Sequence, residues 1–234
     1  TIRDPEGFIA AAEKAAARDI PIVAIKVART EQSARFAVSH SGAIAGDDAA
    51  YDAVFERYGV LRCDDVDAFF ATCQLLSQPW RVGPGGIAAI TDSGGERELL
   101  ADCADAAGVP FARIDERTRK RLEERLEYGL QPENPLDAWG TGRDYGGIFR
   151  DCMGALLDDP DTALGVWVTD LRDGDLFREP FVEDVPGLVA ERDTPLIFAT
   201  CFNSGLDTDV TRQLAQSDIP VLEGMGASLA AIRH

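Results

Sequence analysis

The sequence predicts an α/β fold built on parallel β-sheets, and two observations carry this prediction. Short apolar runs of the kind found in strands buried in a parallel sheet recur along the 234 residues. Between these runs lie segments in which apolar residues recur at helical spacing, so that strands and helices alternate. This alternation favours a doubly wound parallel sheet, whose ligands lie beyond the carboxyl ends of its strands.

The first part of the chain, residues 1–78, contains few strands for its number of helices. A helix is predicted over residues 5–18, with Asp4 as N-cap and Pro5 at the first helical position. The other predicted elements are strands Ile20–Val27 and Val60–Cys63 and helices Thr30–Val38, Ala49–Tyr58 and Asp65–Leu76. Two strands cannot bury that many helices. We therefore expect a truncated domain whose remaining strands lie upstream of this chain; the alternative is that these strands join the sheet that follows.

A segment dense in Pro and Gly, residues 79–85, predicts a linker, and βα alternation resumes over residues 86–234. The predicted strands are Gly86–Thr91, Pro110–Ile114, Ala163–Thr169, Pro195–Thr200 and Ile219–Leu222. The predicted helices are Gly95–Ala107, Glu116–Tyr128, Tyr145–Leu157, Phe181–Glu191, Asp207–Ser217 and Gly224–Ile232. Five strands alternating with helices predict a second domain with a doubly wound parallel sheet.

Composition excludes several function classes. The net charge of −18 argues against nucleic acids and anionic membranes as partners, since both need a basic surface. The five cysteines are an odd number without a Cys-x-x-Cys pair, which indicates reduced thiols and neither a disulfide framework nor a metal site. The sequence has no apolar run of membrane-spanning length and no feature of a secretory signal at its start. A cytoplasmic protein is expected.

The segment Ser39–Gly46 is the first candidate site. It contains His40, one of only two histidines, among small residues and hydroxyls, and it is predicted to be a loop between two helices. Glycine and alanine put nothing in the way of an imidazole that approaches a second surface closely. The alternative is a glycine-rich turn whose histidine points at solvent.

The second candidate is the turn Ser93-Gly94-Gly95, between the first strand and first helix of the second domain. Ser93 can cap the helix, and the amides that follow can face an anion with the helix dipole behind them. The turn matches neither a Walker loop nor a Gly-x-Gly-x-x-Gly fingerprint, so nucleotide binding is not indicated. The alternative is a tight βα turn that simply needs glycine.

Two further loops are candidates for lining a substrate crevice. One is Asn134–Gly142, with Asn134 and Asp137; the other follows a predicted strand and contains Asn203. Capped connecting loops explain both equally well. Cys201 lacks an internal histidine other than His40 to serve as its base, which argues against a cysteine nucleophile.

Taken together, these segments resemble the NDP-forming acyl-CoA synthetases, which include ADP-forming acetate–CoA ligase and, more distantly, succinyl-CoA synthetase. The resemblance covers nearly the whole chain, and its most specific part is the His40 segment combined with the upstream Lys-Val-x-Arg strand. The residues that carry it are Pro21–Arg29, Ser39–Asp47, Tyr51-Asp52, Gly59-Val60, Ile87–Gly95, Asn134–Asp137 and Asp158–Pro160.

The resemblance implies two flavodoxin-like (succinyl-CoA synthetase-like) domains, the first truncated. It implies that His40 is phosphorylated during turnover and that Ser93, Gly94 and Gly95 form half of the phosphate cradle. The hydroxyl and glycine residues beside His40 would support its loop: Ser39, Ser41 and Gly42. The N-terminal CoA-binding domain, the ATP-grasp domain and the opposing helix of the cradle are expected to lie outside this chain.

The implied reaction converts a carboxylic acid, ATP and CoA to acyl-CoA, ADP and phosphate, with Mg²⁺ accompanying ATP. The implied partners are an ATP-grasp domain or subunit in a homo- or hetero-oligomer, and the 234 residues alone are expected to be inactive. Two residues depart from the family pattern: Ser41 stands for a threonine, and Glu96 follows the Gly-Gly turn, where it either weakens anion binding or orients the imidazole. The alternatives are a catalytically silent CoA- or acyl-binding regulatory module and an unrelated flavodoxin-like binding protein.

Overall fold

The computed structural model describes residues 2–41, 46–174 and 184–234, and it confirms an α/β fold with parallel sheets. The chain forms two compact units, the first holding Thr1–Leu76 and the second Ser77–Arg233. Each unit has its own sheet and its own buried core.

In the described residues of the first unit, two parallel strands pair with Ile22 opposite Val60. The elements of this unit are α1 (Pro5–Ala16), β1 (Ile22–Ile25), α2 (Glu31–Ser41), α3 (Asp48–Tyr58), β2 (Val60–Cys63) and α4 (Val66–Leu76). Ala12 from α1, Phe55 from α3 and Val60 from β2 form a small core. The apolar runs and helical periods of the sequence therefore form the elements that they predict.

Local residues explain where the helices of the first unit begin and end. Asp4 accepts a hydrogen bond from Gly7 N–H at 2.9 Å, and Pro5 follows it at the first helical position. Asp47 caps α3 by accepting from Ala49 N–H at 3.0 Å. Gly59 ends α3 at φ 66°, a left-handed conformation that glycine adopts without a Cβ clash.

The predicted boundary between α2 and the His40 loop is wrong. The helix was expected to end at Val38, but its backbone continues through His40 to Ser41. No proline or glycine interrupts the chain before Gly42, and serine and histidine are tolerated in a last helical turn. Ser39, His40 and Ser41 therefore belong to a helix end. Gly42 lies outside the described residues.

The second unit is larger, and every residue of its strands β3 and β5 is buried, as expected for a parallel sheet covered by helices on both faces. Its strands are β3 (Gly86–Thr91), β4 (Leu136–Asp137), β5 (Thr162–Val168), β6 (Leu196–Ala199) and β7 (Val221–Leu222). Its helices are α5 (Gly94–Ala107), α6 (Glu116–Arg125), α7 (Tyr145–Leu157), α8 (Val185–Ala190), α9 (Thr208–Ala215) and α10 (Met225–Ile232). The helix predicted over 181–191 falls partly outside the described residues.

Within the described part of the second unit, the sheet has the order β4-β3-β5-β6-β7 with all neighbours parallel. Numbered by chain position inside this unit, the order is 2-1-3-4-5, that of flavodoxin-like folds. From β3 the chain passes to β4 on one side, and it then crosses to β5 on the other side of β3. The carboxyl ends of β3 and β5 therefore form the switch point at which such sheets bind ligands.

The core of the second unit is organised around Trp167 on β5, which is 1% exposed. Its ring stacks on Phe149 from α7 with centroids 5.7 Å apart and on Phe198 from β6 at 5.4 Å. Stacked aromatic rings contribute more than their buried area alone. This packing joins α7 to the centre of the sheet and keeps the carboxyl ends of β5 and β6 in a common layer.

One strand of the second sheet was predicted in the wrong place. The segment Pro110–Ile114 was expected to be a strand, but it makes only an isolated bridge between Phe111 and Ile87. The edge strand is β4, Leu136–Asp137, which was predicted to be part of a loop. After Ala112 the chain turns away from the sheet because Arg113 N–H donates to Asp161 Oδ2 at 2.7 Å.

Asn134 explains how two distant segments share one edge of β3. Its side chain accepts from Ala89 N–H at 2.9 Å and donates to Ile87 O at 2.9 Å and to Ala112 O at 3.0 Å. The amide thus supplies the hydrogen bonds that a strand residue would make between Phe111 and Leu136. It holds β4 and the Pro110–Ala112 segment in register on the same strand.

Candidate functional site

The carboxyl edge of the second sheet brings together polar residues from three neighbouring strands. Thr91 is the last residue of β3 and precedes Asp92, whereas Thr169-Asp170 follows β5 and Thr200-Cys201 follows β6; the three threonines are buried. The threonine hydroxyls tie this edge together: Thr169 Oγ1 donates to Asp92 Oδ2 at 3.4 Å, and Thr200 accepts from Gly224 N–H at 3.2 Å. The edge is rigid and polar, and it lies at the switch point of the sheet.

The predicted turn Ser93-Gly94-Gly95 lies at this edge and begins α5. Ser93 is the N-cap residue but makes no side-chain capping hydrogen bond, and Arg97 N–H to Ser93 O, at 3.0 Å, closes the first turn. The amides of Gly94, Gly95 and Glu96 precede this bond and belong to the end of the helix that carries partial positive charge. The backbone geometry therefore suits an anion.

The side chains around the same turn are acidic. Burial, followed by the hydrogen bond and the negative charge of Asp92, raises the pKa of Glu96 to about 7. A hydrogen bond from Cys201 partly offsets this rise, whereas Asp170 adds to it. Glu96 Oε2 is buried without a hydrogen-bond partner among the described residues. Glu96 therefore keeps its proton to a higher pH than an ordinary glutamate, and the charge beside the turn depends on pH.

Cys201 is a neutral thiol in this environment. Burial and the negative charges of Glu96, Asp170 and Asp92 raise the pKa of Cys201 to about 12. The thiolate is the nucleophilic form, so this cysteine is not activated. The structure agrees with the sequence-based argument against a cysteine nucleophile.

Asp170 is held firmly at the end of β5. Its carboxylate accepts from Cys201 N–H at 3.0 Å and from the Arg172 guanidinium at 2.8 Å. Arg172 also lies over the Phe202 ring, 4.6 Å from its centroid. The positive charge nearest this edge is therefore already paired with Asp170.

The three residues predicted to line a substrate crevice have different positions. Asn134 lies within the sheet edge, where its amide makes the backbone hydrogen bonds described above. Asp137 ends β4 and lies beside the turn, because a Cβ built on Gly94 would stand 3.3 Å from Asp137 Oδ2. Asn203 is exposed in the loop after β6. The structure places Asp137 beside the Ser93-Gly94-Gly95 turn and gives Asn134 a structural position.

The His40 segment belongs to the first unit. The exposed Ser39 hydroxyl donates back to Arg35 O at 3.3 Å and Phe36 O at 3.2 Å, which satisfies carbonyls of the last helical turns. For His40 and Ser41 the structure describes the helical backbone. The chain returns at Gly46 and begins α3 at Asp48, at the carboxyl edge of the first sheet.

A separate groove of about 690 Å³ lies between α6, α7 and α8 and contains none of the predicted site residues. Four arginines line it, and each pairs with a carboxylate: Arg121 and Arg192 with Asp158, and Arg125 and Arg150 with Asp151. Over residues 2–41, 46–174 and 184–234, no group of three or more His, Cys, Asp or Glu residues has the arrangement of a metal site. In the same part of the chain, no helix is long and apolar enough to cross a membrane.

The cluster of Asp92, Glu96, Asp170 and Cys201 was not predicted as a unit. The sequence showed Glu96 as an isolated departure from the family pattern and Cys201 as a cysteine without a base. A signal was present, because threonine followed by Asp or Cys ends three neighbouring strands. The carboxyl ends of parallel strands meet at one edge, so a repeated strand-end pair predicts a shared site.

Comparisons with known proteins agree with this architecture. A family model described as a succinyl-CoA ligase like flavodoxin domain matches residues 1–76. The alpha subunit of acetate–CoA ligase [ADP-forming] II from Pyrococcus furiosus is 33% identical over 165 residues, which are 70% of this chain and 35% of that protein. Acetate–CoA ligase [ADP-forming] I from Archaeoglobus fulgidus is 34% identical over 139 residues, which are 59% of this chain and 20% of that protein. The chain thus spans about a third or less of these relatives.

A solved structure extends the likeness to the whole fold. The dinucleotide forming acetyl-coenzyme A synthetase 1 of Ca. Korarchaeum cryptofilum, solved in complex with phosphate and ADP, matches with a TM-score of 0.81. The match covers 100% of this chain and 50% of that one at 21% sequence identity. At this identity the likeness concerns the fold.

Proposed function

Because this chain belongs to the NDP-forming acyl-CoA synthetase family, we propose that it is part of an enzyme that converts a carboxylic acid, ATP and CoA to acyl-CoA, ADP and phosphate. The reaction proceeds through a phosphohistidine on His40 and an acyl phosphate. The observation that carries the proposal is the Ser39–Gly46 segment, which lies within the residues that the family model matches.

The chemistry follows from the reactivity of imidazole. Neutral His40 attacks the γ-phosphorus of ATP, a nitrogen–phosphorus bond forms, and the bond to the ADP oxygen breaks. The carboxylate then attacks the same phosphorus, which gives an acyl phosphate and frees the imidazole. The CoA thiolate attacks the acyl carbon, and inorganic phosphate leaves. The net reaction consumes one ATP, and the thiol proton is released to solvent or to phosphate.

The partners follow from the same proposal. An ATP-grasp domain or subunit supplies the site for ATP with Mg²⁺, and the protein assembles as a homo- or hetero-oligomer in the cytoplasm. The Pyrococcus furiosus relative is named as an alpha subunit, which supports a second subunit. Ser93, Gly94 and Gly95 form half of the phosphate cradle, with Asp137 beside it. Ser39, Ser41 and Gly42 support the position of His40.

We propose that residues 1–78 are the C-terminal part of a succinyl-CoA-ligase-like domain, residues 79–85 a linker, and residues 86–234 a second domain. The exposure of strand β1 supports the proposal that the first of these domains is incomplete. None of its four residues is buried, whereas β5 in the second sheet is buried throughout. Ile25 is 36% exposed and Val27, just beyond the strand, is 72% exposed. An apolar parallel strand of this kind calls for a further strand at its open edge.

A second candidate function is a catalytically silent CoA- or acyl-binding regulatory module of the same fold. The observation that favours it is the acidic surround of the Ser93-Gly94-Gly95 turn, where Asp92, Glu96 and Asp170 disfavour a phosphate dianion. A phosphohistidine route needs a histidine and a silent module does not, so His40 favours the enzyme.

Labelling with ATP tests the proposal. The protein that contains this chain, together with its ATP-grasp partner, is incubated with γ-labelled ATP and Mg²⁺ and then digested for mass spectrometry. We expect one acid-labile phosphate on His40, which is discharged by the cognate acid and CoA. The 234 residues alone should neither take up label nor hydrolyse ATP. If His40 of the complete enzyme takes up no labelled phosphate, the result favours the catalytically silent module.

Sulfate binding should test the anion-binding role of the turn. Sulfate remains a dianion from pH 6 to 8, so any pH dependence comes from the protein. Because the raised pKa of Glu96 is about 7, this carboxyl loses its proton in that range and repels the anion. The sulfate affinity, followed by the amide shifts of Gly94 and Gly95, should fall by roughly three- to tenfold from pH 6 to pH 8.

Two variants give this experiment its controls. Glu96→Gln should bind sulfate with the same affinity at both pH values, whereas Glu98→Gln, an exposed change on the same helix, should keep the pH dependence. Asp92, Asp170 and Cys201 also face Glu96; a pH dependence that survives Glu96→Gln would show that Glu96 is not its source. Absent amide shifts at all pH values would contradict the anion site.

A further inference from the structure

The guanidinium of Arg62 contacts both ends of the chain segment that carries His40, which we call the excursion. The excursion, residues 27–47, connects the end of β1 to the start of α3 within the first unit. Arg62, on the neighbouring strand β2, donates from one nitrogen to Lys26 O at 3.1 Å and to Asp48 Oδ1 at 2.7 Å. Its other terminal nitrogen bonds Asp52, one turn further along α3. Lys26 directly precedes the excursion and Asp48 directly follows it.

A second arginine also pairs with residues at the base of the excursion, where its two ends meet the sheet. Arg29, inside the excursion, has its Nε 3.5 Å from Asp48 Oδ2 and also pairs with Asp64 at the end of β2. Lys26 places its ammonium over the Tyr51 ring, 4.4 Å from the centroid. The base of the excursion is therefore tied to both strands and to α3 by charge-assisted contacts, which are stronger than neutral hydrogen bonds.

In the described part of the excursion, little side-chain surface is buried. None of the described side chains of α2, Glu31–Ser39, is buried, and Phe36 is 62% exposed. The Arg62 side chain, by contrast, is only 10% exposed and that of Asp48 22%. The Arg62 hydrogen bond holds the pKa of Asp48 below its usual value, so this carboxylate stays charged throughout the neutral range. The position of α2 depends on its base more than on core packing.

We infer that Arg62 is a positioning residue for the phosphorylation of His40. By tying Lys26 to Asp48 it fixes where the excursion leaves and rejoins the sheet, and so sets the place of the histidine that α2 carries. The inference rests on the proposed role of His40. Arg62 itself contacts no substrate in this account; it acts through the backbone at Lys26 and through Asp48.

Single-turnover phosphorylation in the complete enzyme tests the inference. Arg62→Gln should slow the transfer of labelled phosphate to His40 by about 10–100-fold, because small misplacements of a reacting group cost rate. The KM values for ATP and CoA should stay unchanged, since Arg62 binds neither. Arg62→Lys should restore part of the rate, because an ammonium can still pair with Asp48 but does not span both ends. Arg212→Gln, which removes an exposed ion pair with Asp209, should have the wild-type rate.

Hydrogen exchange provides the second readout. In Arg62→Gln the peptide that spans residues 46–52 should exchange faster, while the peptide that covers α4 keeps its protection. If Arg62→Gln does not fold, Asp48→Asn replaces it, because the amide oxygen still accepts from Arg62 without the charge; a slowing of about tenfold is then expected. A folded variant of either kind with an undiminished phosphorylation rate overturns the inference while the proposed function stands. A wild-type enzyme that takes up no phosphate overturns both.

Discussion

The variant His40→Asn is expected to lose both phosphate labelling and acyl-CoA formation in the complete enzyme. Asparagine is close to histidine in size and polarity, but its amide nitrogen is not a nucleophile because its lone pair is delocalised. Removal of the residue that carries a covalent intermediate should lower the turnover rate by at least about 10³-fold. The rate of acyl-CoA formation and the acid-labile phosphate on the chain are measured on the same preparation.

A change elsewhere on the same helix provides the matched control. Gln32→Ala shortens an exposed side chain of α2. It should alter the rate less than threefold, roughly the effect of a surface substitution. His40 lies at the end of a helix that packs little against the core, so His40→Asn should unfold at the same temperature as the wild type. Sustained acyl-CoA synthesis by His40→Asn would eliminate the phosphohistidine mechanism.

The largest effect on stability should come from Asn134→Leu, which keeps the number and branching of the side-chain heavy atoms and removes the hydrogen bonds. Ala89 N–H, on a fully buried residue of β3, would lose the partner that Asn134 Oδ1 provides. Ile87 O and Ala112 O would lose a donor, although Ile87 O keeps Ala112 N–H at 2.8 Å. Unpaired buried groups of this kind should lower the free energy of unfolding by about 2–4 kcal/mol.

Tryptophan fluorescence during urea unfolding measures this effect in one unit only. All three tryptophans, Trp80, Trp139 and Trp167, lie in the second unit, so their signal reports its unfolding separately from the first. Asn203→Leu, at an exposed position after β6, should change stability by less than about 0.5 kcal/mol. If Asn134 served a substrate instead, Asn134→Leu would keep its unfolding midpoint and lose substrate affinity, which would contradict the structural role.

The end of the second domain's first βα unit shows what a local pattern can and cannot predict. Helix α5 begins at Gly94 after Ser93 and ends before Gly108 at φ 71°, and the sequence predicted both ends within one residue. Capping residues act within three or four positions along the chain, so these boundaries are local. Asp170 and Cys201, which also face this turn, follow β5 and β6 more than 70 residues away, and no local pattern contains them.

The strand at the edge of the second sheet shows the same division. The segment Pro110–Ile114 has the apolar residues of a strand, and Leu136–Asp137 lies in a polar loop. Two side chains decided which segment pairs with β3. The amide of Asn134 makes hydrogen bonds to β3 between the two segments, and the carboxylate of Asp161 accepts a hydrogen bond from Arg113 N–H. A two-residue strand carries too little periodicity to be recognised, because its stability comes from its partner.

By itself the sequence determined the alternation of strands and helices, the parallel sheets, the helix caps and the His40 segment that identifies the family, because each rests on the order of neighbouring residues. Only the tertiary structure decided that α2 extends through Ser41, that Glu96 has its pKa raised to about 7, and that Arg62 ties Lys26 to Asp48. The last two depend on burial and on charges brought together from separate strands. Burial and distance in space are properties of the folded chain, and residue order alone does not contain them.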